Sequence, residues 1–173
     1  TEIQQRTAQL EQSLNYHAML GRIIERVRDS LNENQILQTV IQELAQGLNL
    51  EGCDTSLYDR EMNATIVHRY GWQEREIALS DIDPRQVTQF CSLQQHHTVL
   101  LCPVLDHQEV FSDLLLYRQS SETFDEAEID FVQQVASQCA IAIRQARLHQ
   151  ATQAQVKDLE RLNQAKDEFL SAV

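Results

Sequence analysis

The last 50 residues are predicted to form one long helix, which constrains the fold more than any other stretch of the chain. Between Ile129 and Ala146, apolar residues recur every three or four positions, which is the helical period. A seven-residue repeat then continues in a shifted register, with apolar members Leu148, Leu159, Leu162, Phe169 and Val173 and weak members Thr152, Gln155 and Lys166. We therefore predict that the first half of this helix faces a domain core and that residues 148–173 form a coiled-coil arm.

The first 31 residues show the same division into two apolar stripes. Ile3, Leu10 and Leu14 mark one stripe, and a shifted stripe runs from Tyr16 to Leu31. The first half is expected to face a partner helix and the second half a domain core. Because neither arm can bury its stripe alone, we expect a parallel homodimer formed through the N- and C-terminal helices.

Capping residues predict where two further helices begin. Asn32 is the predicted N-cap of a helix over residues 36–48, with Gln35 as its capping-box partner. Thr123 and Glu126 are predicted to form the same kind of box at the start of the C-terminal helix.

Strand-like sequence lies between these helices. Residues 53–60 and 64–70 predict a hairpin, and the apolar run 99–105 with residues 110–118 predicts two buried strands. The segment between them is less regular. A short strand is expected around Ile77 and Leu79, and a short helix is expected from Asp83-Pro84 through Cys91.

The order of elements predicts an α+β domain with an antiparallel sheet. Its helices would pack on one face, and the irregular segment would form a lid over the other face, enclosing a pocket. By position, the candidate pocket residues are Tyr58, Val67, Phe90, Cys91, His96 and Leu116.

Composition excludes several classes of function. The net charge of −12 and the absence of a basic cluster argue against nucleic-acid binding. No apolar run approaches about 18 residues, so we expect no membrane contact in this segment. Four widely spaced cysteines without a C-x-x-C pair indicate reduced thiols in a cytoplasmic protein.

Two stretches resemble GAF domains. The run from Phe124 to Ala146, which begins Phe-Asp-Glu-Ala-Glu-Ile-Asp-Phe-Val, resembles the last helix of that family. Leu100-Leu-Cys-Pro-Val-Leu with Val110-Phe-Ser-Asp-Leu-Leu-Leu-Tyr resembles the two strands before it. The resemblance implies a GAF-like sheet and a sensory role. It divides the chain into an N-terminal helical arm (1–20), a GAF-like sensory domain (21–147) and a coiled-coil linker (148–173).

The tail carries a second resemblance. Lys166-Asp-Glu-Phe-Leu-Ser-Ala-Val is similar to the run that precedes the phospho-accepting His of sensor histidine kinases. The resemblance implies that the parent protein is such a kinase and that this chain is its non-catalytic sensory part. The abundance of Gln and the run Cys139-Ala-Ile-Ala-Ile-Arg-Gln-Ala resemble cyanobacterial proteins. No nucleophile–base set, phosphate loop or HExxH pattern is present in the sequence.

Cofactor chemistry is weighed from a few residues. Bilin-binding relatives attach a tetrapyrrole through a Cys that is usually followed by His, whereas Ser92 follows Cys91 here, so a bilin is disfavoured. Adjacent histidines on a strand point to opposite faces, so His96 and His97 predict no metal site. The resemblance to cyclic-nucleotide GAF domains fails because their Asn-Lys pair is absent.

Three interpretations stay open at this point. The first is a ligand-binding sensor domain that relays a signal through its C-terminal helix, with the ligand unknown. The second is a tetrapyrrole or redox-cofactor sensor that uses Cys91, His96 or His97. The third is a structural dimerisation spacer without any ligand.

Overall fold

The structure is a computed structural model that describes residues 1–71, 82–92, 96–107, 109–119 and 121–172. Three helices and five strands lie in these ranges. The helices are α1 (Glu2–Arg28), α2 (Glu33–Gly47) and α3 (Glu126–Ser171), and the strands are β1 (Gly52–Tyr58), β2 (Ala64–Gly71), β3 (Thr88–Ser92), β4 (His97–Asp106) and β5 (Glu109–Gln119).

The five strands form one antiparallel sheet in the order β2-β1-β5-β4-β3. The hairpin of β4 and β5 has the longest pairing, from His97 opposite Gln119 to Asp106 opposite Glu109. These are the two strands that the apolar runs predict. The predicted α+β class with an antiparallel sheet is confirmed.

Side chains of the central strands alternate between two cores. Leu100, Cys102, Leu114 and Leu116 point to the face that the helices cover, which we call the helix-side face. Val99, Leu101, Leu115 and Tyr117 point to the opposite face, which we call the distal face. A strand buried on both faces has no polar side to alternate with, which explains the continuous apolar run of β4.

α2 and α3 pack on the helix-side face, and α1 packs on both of these helices. α2 lies on β1 and β2, and α3 lies on β4 and β5. Ile23, Leu37 and Ile143 are fully buried there, one from each helix. Burial of each such side chain contributes roughly 1.5–3 kcal/mol, so the predicted placement of the helices on one face is confirmed and has a clear energetic origin.

The cap of α3 differs from the prediction. The N-cap is Asp125, not Thr123, and its capping-box partner is Glu128, not Glu126. Both pairs fit the same four-residue rule. The later start is favoured because Phe124 is buried beneath the Arg118 guanidinium, 4.5 Å from the ring centroid, and because Glu128 pairs with the same arginine.

Two further local predictions need correction. Asn32 caps α2 as predicted, but it accepts from the Asn34 amide at 2.9 Å, while Gln35 contacts the Ser30 hydroxyl instead of closing a box. The helix predicted through Cys91 is wrong, since residues Thr88–Ser92 form edge strand β3 paired with β4. The short strand predicted around residues 77–79 lies outside the described residues.

α1 and α3 run side by side in the same direction. The Tyr16 ring stacks on Phe131 near the start of α3, with centroids 4.8 Å apart. Further along α3, the Gln150 amide donates to the carbonyl of Leu31, just beyond the end of α1, at 3.5 Å. The first residues of α1 therefore project from one end of the domain. Residues 151–172 of α3, exposed throughout, project from the other end.

Candidate functional site

The distal face of the sheet has an apolar half built from β3, β4 and β5. Its buried members are Val99, Leu101, Leu115 and Tyr117, and the half-buried Ile82 and Phe90 pack against them. This small cluster is separate from the main core on the helix-side face. Most of the residues predicted to form the lid above it, 72–81 and 93–95, lie outside the described residues.

The other half of the distal face is polar and comes from β1 and β5. Asp113 alternates with Leu115 and Tyr117 along β5, and the strand register places Asp54 opposite Leu115 and Ser56 opposite Asp113. Directly opposed residues of an antiparallel pair project to the same face. Asp54 and Asp113 therefore both lie on the distal face, where they are only 4% and 3% exposed.

Hydrogen bonds join these residues into one cluster. Asp113 Oδ1 accepts from the Ser56 amide at 3.1 Å, and its Oδ2 accepts from the Tyr58 hydroxyl at 2.6 Å. The Tyr117 hydroxyl donates to Asp54 Oδ2 at 3.1 Å. We call Asp54, Ser56, Tyr58, Asp113 and Tyr117 the polar cluster.

Burial decides the electrostatics of the polar cluster. It raises the pKa of Asp113; hydrogen bonds from Tyr58 and Ser56 oppose that shift, and the nearby Asp54 carboxylate adds to it. Burial, followed by the contact with Asp113, raises the pKa of the Tyr58 hydroxyl. Tyr58 therefore stays a neutral donor to Asp113, a carboxyl group whose charged form is disfavoured by its burial.

Two of the residues predicted for the pocket lie on the distal face. Tyr58 belongs to the polar cluster, and Phe90 belongs to the apolar half. They stand on β1 and β3, at opposite sides of the β5–β4 pair, so a ligand touching both would span the sheet face.

The other predicted pocket residues lie elsewhere. Leu116 is buried in the helix-side core. Cys91 is exposed on edge strand β3 and pairs with Thr98 of β4, with its sulfur 3.8 Å from the Thr98 hydroxyl. The strand register places Cys91 on the helix-side face of the sheet. His96 is exposed, with φ of 53°, in the turn before β4. The side chain of Val67 lies outside the described part.

Sequence reasoning missed the carboxyl groups of the polar cluster. Asp54 and Asp113 each sit inside a stretch that otherwise reads as strand, and Asp is depleted in strands. That depletion is the available signal: an acid kept inside a buried strand has a polar partner, and here the partners are two tyrosines and an amide.

The histidine pair does not act as one unit. His97 opens β4 and is 8% exposed, and its Nε2 lies 2.5 Å from Glu51 Oε2. The neighbouring His96 is exposed in the preceding turn. Among the described residues, no group of three or more His, Cys, Asp or Glu side chains is arranged to hold a metal ion.

Two arginines fix α3 to the body of the domain. Near its start, Arg118 of β5 pairs with Glu128 and donates to the Leu48 carbonyl at 2.8 Å. Where α3 leaves the body, Arg147 pairs with Glu33 of α2 at 2.8 Å and lies over the Phe111 ring at 4.3 Å. Arg118 directly follows Tyr117, so one β5 segment connects the polar cluster to the first turn of α3.

The sequence over residues 32–143 matches the GAF domain family, and the chain belongs to that family. The match begins at the N-cap of α2 and ends within the part of α3 that packs on the sheet. It includes all five strands and both halves of the distal face. The resemblance to GAF domains is confirmed, as is the broader expectation of a regulatory, sensory type of domain.

Solved structures share the fold at low sequence identity. The GAF domain of a candidate sensor histidine kinase from Pseudomonas syringae pv. tomato is 19% identical, with a TM-score of 0.71, over 87% of this chain and 99% of that one. The GAF domain of a phosphoenolpyruvate-protein phosphotransferase from Coxiella burnetii is 18% identical, with a TM-score of 0.68, over 80% and 98%.

An enzyme is also among the similar structures. Free methionine-R-sulfoxide reductase from Neisseria meningitidis, solved with its substrate, is 12% identical, with a TM-score of 0.68, over 78% of this chain and 91% of that one. At these identities the likeness establishes the fold alone. No curated protein sequence matches the chain. Within the described residues, no helix combines the length and hydropathy that crossing a membrane requires.

Proposed function

We propose that this chain is the non-catalytic sensory domain of a two-component sensor histidine kinase. In this proposal a small molecule binds over the distal face, two copies of the chain associate through their helices, and α3 relays the signal to a kinase core. The observation that carries the proposal is the course of α3. It is a single helix of 46 residues, about 69 Å long. Its first turn is held by Arg118, the residue that follows Tyr117 of the polar cluster, and its residues 151–172 project beyond the sheet.

The polar cluster supports a ligand class. Two nearly buried carboxyl groups stand beside an apolar surface, and burial disfavours the charged form of Asp113. A ligand that brings positive charge or several hydrogen-bond donors would offset that cost, while its apolar part would contact Leu115 and Phe90. We therefore propose a cationic or donor-rich small molecule with an apolar portion.

The route from this site to α3 is short. Tyr117 donates to Asp54 on the distal face, and the next residue, Arg118, holds Glu128 in the first turn of α3 on the other face. A ligand that replaces the Tyr117 hydroxyl at Asp54 would shift β5 next to the arginine. Because Arg118 also binds the end of α2 through the Leu48 carbonyl, the shift would move α3 relative to α2.

The exposed arm supports homodimerisation. Leu148, Leu159, Leu162 and Phe169 are each 61–70% exposed and lie on one heptad seam. Pairing with a second copy would bury every apolar side chain of this seam, which is energetically favourable. Thr152, Gln155 and Lys166 weaken the seam, so two registers that differ by a few kcal/mol are within the reach of ligand binding energy.

Inserting residues into the arm tests the relay. The chain is fused in heptad frame to a histidine kinase core, and residues are inserted after Gln164. A two-residue insertion rotates the following helix by about 200°, whereas a seven-residue insertion returns it to within about 20°. We expect the two-residue insertion to abolish autophosphorylation or to hold it at one fixed level, and the seven-residue insertion to retain it. Equal kinase activity in all three proteins would contradict the proposed relay.

One observation favours a second candidate, a dimerisation spacer without ligand. Both oxygens of Asp113 already accept hydrogen bonds within the chain. Calorimetric titration with cationic and neutral small molecules of equal size separates the two candidates. Binding that is weakened by Asp54→Asn supports the sensor, and a spacer binds neither class.

A further inference from the structure

α1 carries an outward row of residues that is exposed from Ile3 to Gly21 and half-buried only at Ile24. Ile3, Leu10 and Leu14 are 79%, 62% and 60% exposed. The row alternates in steps of four and three, as a heptad seam does, and its members are Ile3, Thr7, Leu10, Leu14, His17, Gly21 and Ile24. We call these residues the α1 seam.

Gly21 is the unusual member of the α1 seam. Glycine destabilises a helix interior relative to alanine, so its presence in mid-helix needs a reason. Gly47 has such a reason inside the chain, since a Cβ there would lie 1.9 Å from Met19 Cε. At Gly21 a Cβ would meet nothing within 4 Å. The space that Gly21 leaves open is therefore available to another molecule.

Charges beside the α1 seam fit a parallel, in-register pair of α1 helices. With Leu14 and Gly21 at a positions, Arg6 falls at g and Glu11 at e. In a parallel coiled coil, g of one helix faces the e position five residues further along the other. Arg6 of one copy would then meet Glu11 of the second copy, twice by symmetry. Both are exposed, and neither forms an ion pair within the described residues.

α3 has a polar surface beside this part of α1. The contacts of Tyr16 with Phe131 and of Leu31 with Gln150 place Gly21 roughly level with Gln138. Over this stretch the α3 positions that extend the heptad row of the arm backwards are Gln134, the half-buried Gln138, Ile141 and Gln145. Only Ile141 among them is a large apolar residue. The apolar surface thus lies on α1 before this level and on α3 after it.

We propose that the α1 seam binds the α1 seam of a second copy, in parallel and in register, with the closest approach at Gly21. The two-fold contact passes from α1 to α3 near Ile141. This inference rests on the proposed homodimer and adds to it a separate contact surface, a register and a crossing point. The shared direction of α1 and α3 allows one two-fold axis to serve both contacts.

Disulfide crosslinking of the full chain tests the contact. In a Cys91→Ser background, Leu14→Cys is compared with its exposed, off-seam neighbour Asn15→Cys and with Gln138→Cys on α3. We expect rapid crosslinking between copies at Leu14 and slow crosslinking at the other two. Leu162→Cys on the α3 arm is the control for the dimer itself. Crosslinking at Leu162 without crosslinking at Leu14 overturns this inference alone, while the absence of both also removes the proposed dimer.

Substitution of Gly21 gives a second test with opposite signs. Gly21→Leu removes a residue that destabilises the helix and places an apolar side chain at an a position. If the two α1 helices left room for a side chain at this position, the variant would dimerise more tightly than the wild type. A close approach at Gly21 predicts the reverse: helix content is unchanged or higher while the dimer dissociates at lower protein concentration. Tighter dimerisation of Gly21→Leu overturns the proposed crossing point.

Charge exchange tests the register. Arg6→Glu should weaken the dimer by about two- to tenfold for two symmetry-related pairs, and the added change Glu11→Arg should restore it. Equal dissociation constants for the single and double variants would overturn the parallel, in-register arrangement.

Discussion

Removing the Glu128 carboxylate should destabilise the domain far more than an ordinary surface change. Glu128 and Arg118 have side chains only 10% and 11% exposed, and they contact each other directly. Glu128 also completes the capping box of α3, accepting from the Asp125 amide at 3.3 Å. Glu128→Ala therefore leaves a buried guanidinium with the Leu48 carbonyl as its remaining oxygen contact among the described hydrogen bonds.

The expected cost follows from this environment. Breaking a buried ion pair by removing one partner costs about 3–5 kcal/mol, because the remaining charge stays buried. Loss of the cap adds a smaller penalty, about 0.5–2 kcal/mol by analogy with N-cap removal. For a domain of this size, each kcal/mol lowers the melting temperature by roughly 2–4 °C. We expect Glu128→Ala to lower it by at least about 6 °C.

Thermal unfolding followed by circular dichroism measures the melting temperature, and urea unfolding measures the free energy of unfolding. Both use one fixed protein concentration, since a dimer would make stability concentration-dependent. Glu128→Gln is the matched variant: it keeps the shape and the amide contact of the cap but removes the charge, so an intermediate loss is expected. A double-mutant cycle with Arg118→Met isolates the coupling. A loss below about 1 kcal/mol for Glu128→Ala would refute the reasoning, since that is the range of an exposed pair.

Three other predictions follow from burial. The raised pKa of Asp113 means that the folded state holds this proton more tightly than the unfolded chain does. Asp113 therefore lowers the free energy of unfolding as pH rises from the ordinary pKa of 3.8 through the raised value. In urea unfolding across that window, the stability of Asp113→Asn relative to the wild type should increase with pH, and a constant difference would contradict this. A thiol reagent at pH 8 should modify Cys91 alone in the native protein, because burial raises the pKa of Cys102 and Cys139 to about 12, and modification of several thiols before unfolding would refute this. Leu100→Ala should cost about 2–5 kcal/mol in urea unfolding, since Leu100 is 0% exposed on the helix-side face, and a cost below about 1 kcal/mol would contradict that packing.

Local sequence patterns predicted the long elements because those elements carry their own signals. α3 repeats its apolar residues over many turns, and β4 is a continuous apolar run next to a turn, so both were located to within a few residues. The apolar stripe of α3 changes register near Leu148, and the residues from 151 to 172 are exposed throughout.

Elements that depend on distant partners were not predicted. Residues 88–92 have no strong period of their own and become a strand only by pairing with β4. The start of α3 was misplaced because Thr123 and Asp125 both satisfy the capping rule, and the choice between them is made by Arg118, which lies on another strand.

The polar cluster was missed for the same reason. Asp54 and Asp113 are far apart in the sequence, and only the pairing of β1 with β5 brings them to one face. The predicted residue Tyr58 lies on the distal face because of its position on β1. The predicted residue Leu116 does not, because neighbouring strand residues point to opposite faces and Leu116 is one residue away from Tyr117 on β5.

Sedimentation equilibrium of the full chain tests the central claim, that two copies associate through the α3 arm, most directly. Leu162→Glu places a charge on the arm seam, and Gln164→Glu places the same charge on the outward side of the same helical turn. We predict a reversible dimer for the wild type and for Gln164→Glu. For Leu162→Glu we predict a dimer at least about tenfold weaker, with the helix content of the domain preserved. A monomeric wild type at high protein concentration, or equal dissociation constants for the three proteins, would contradict the account.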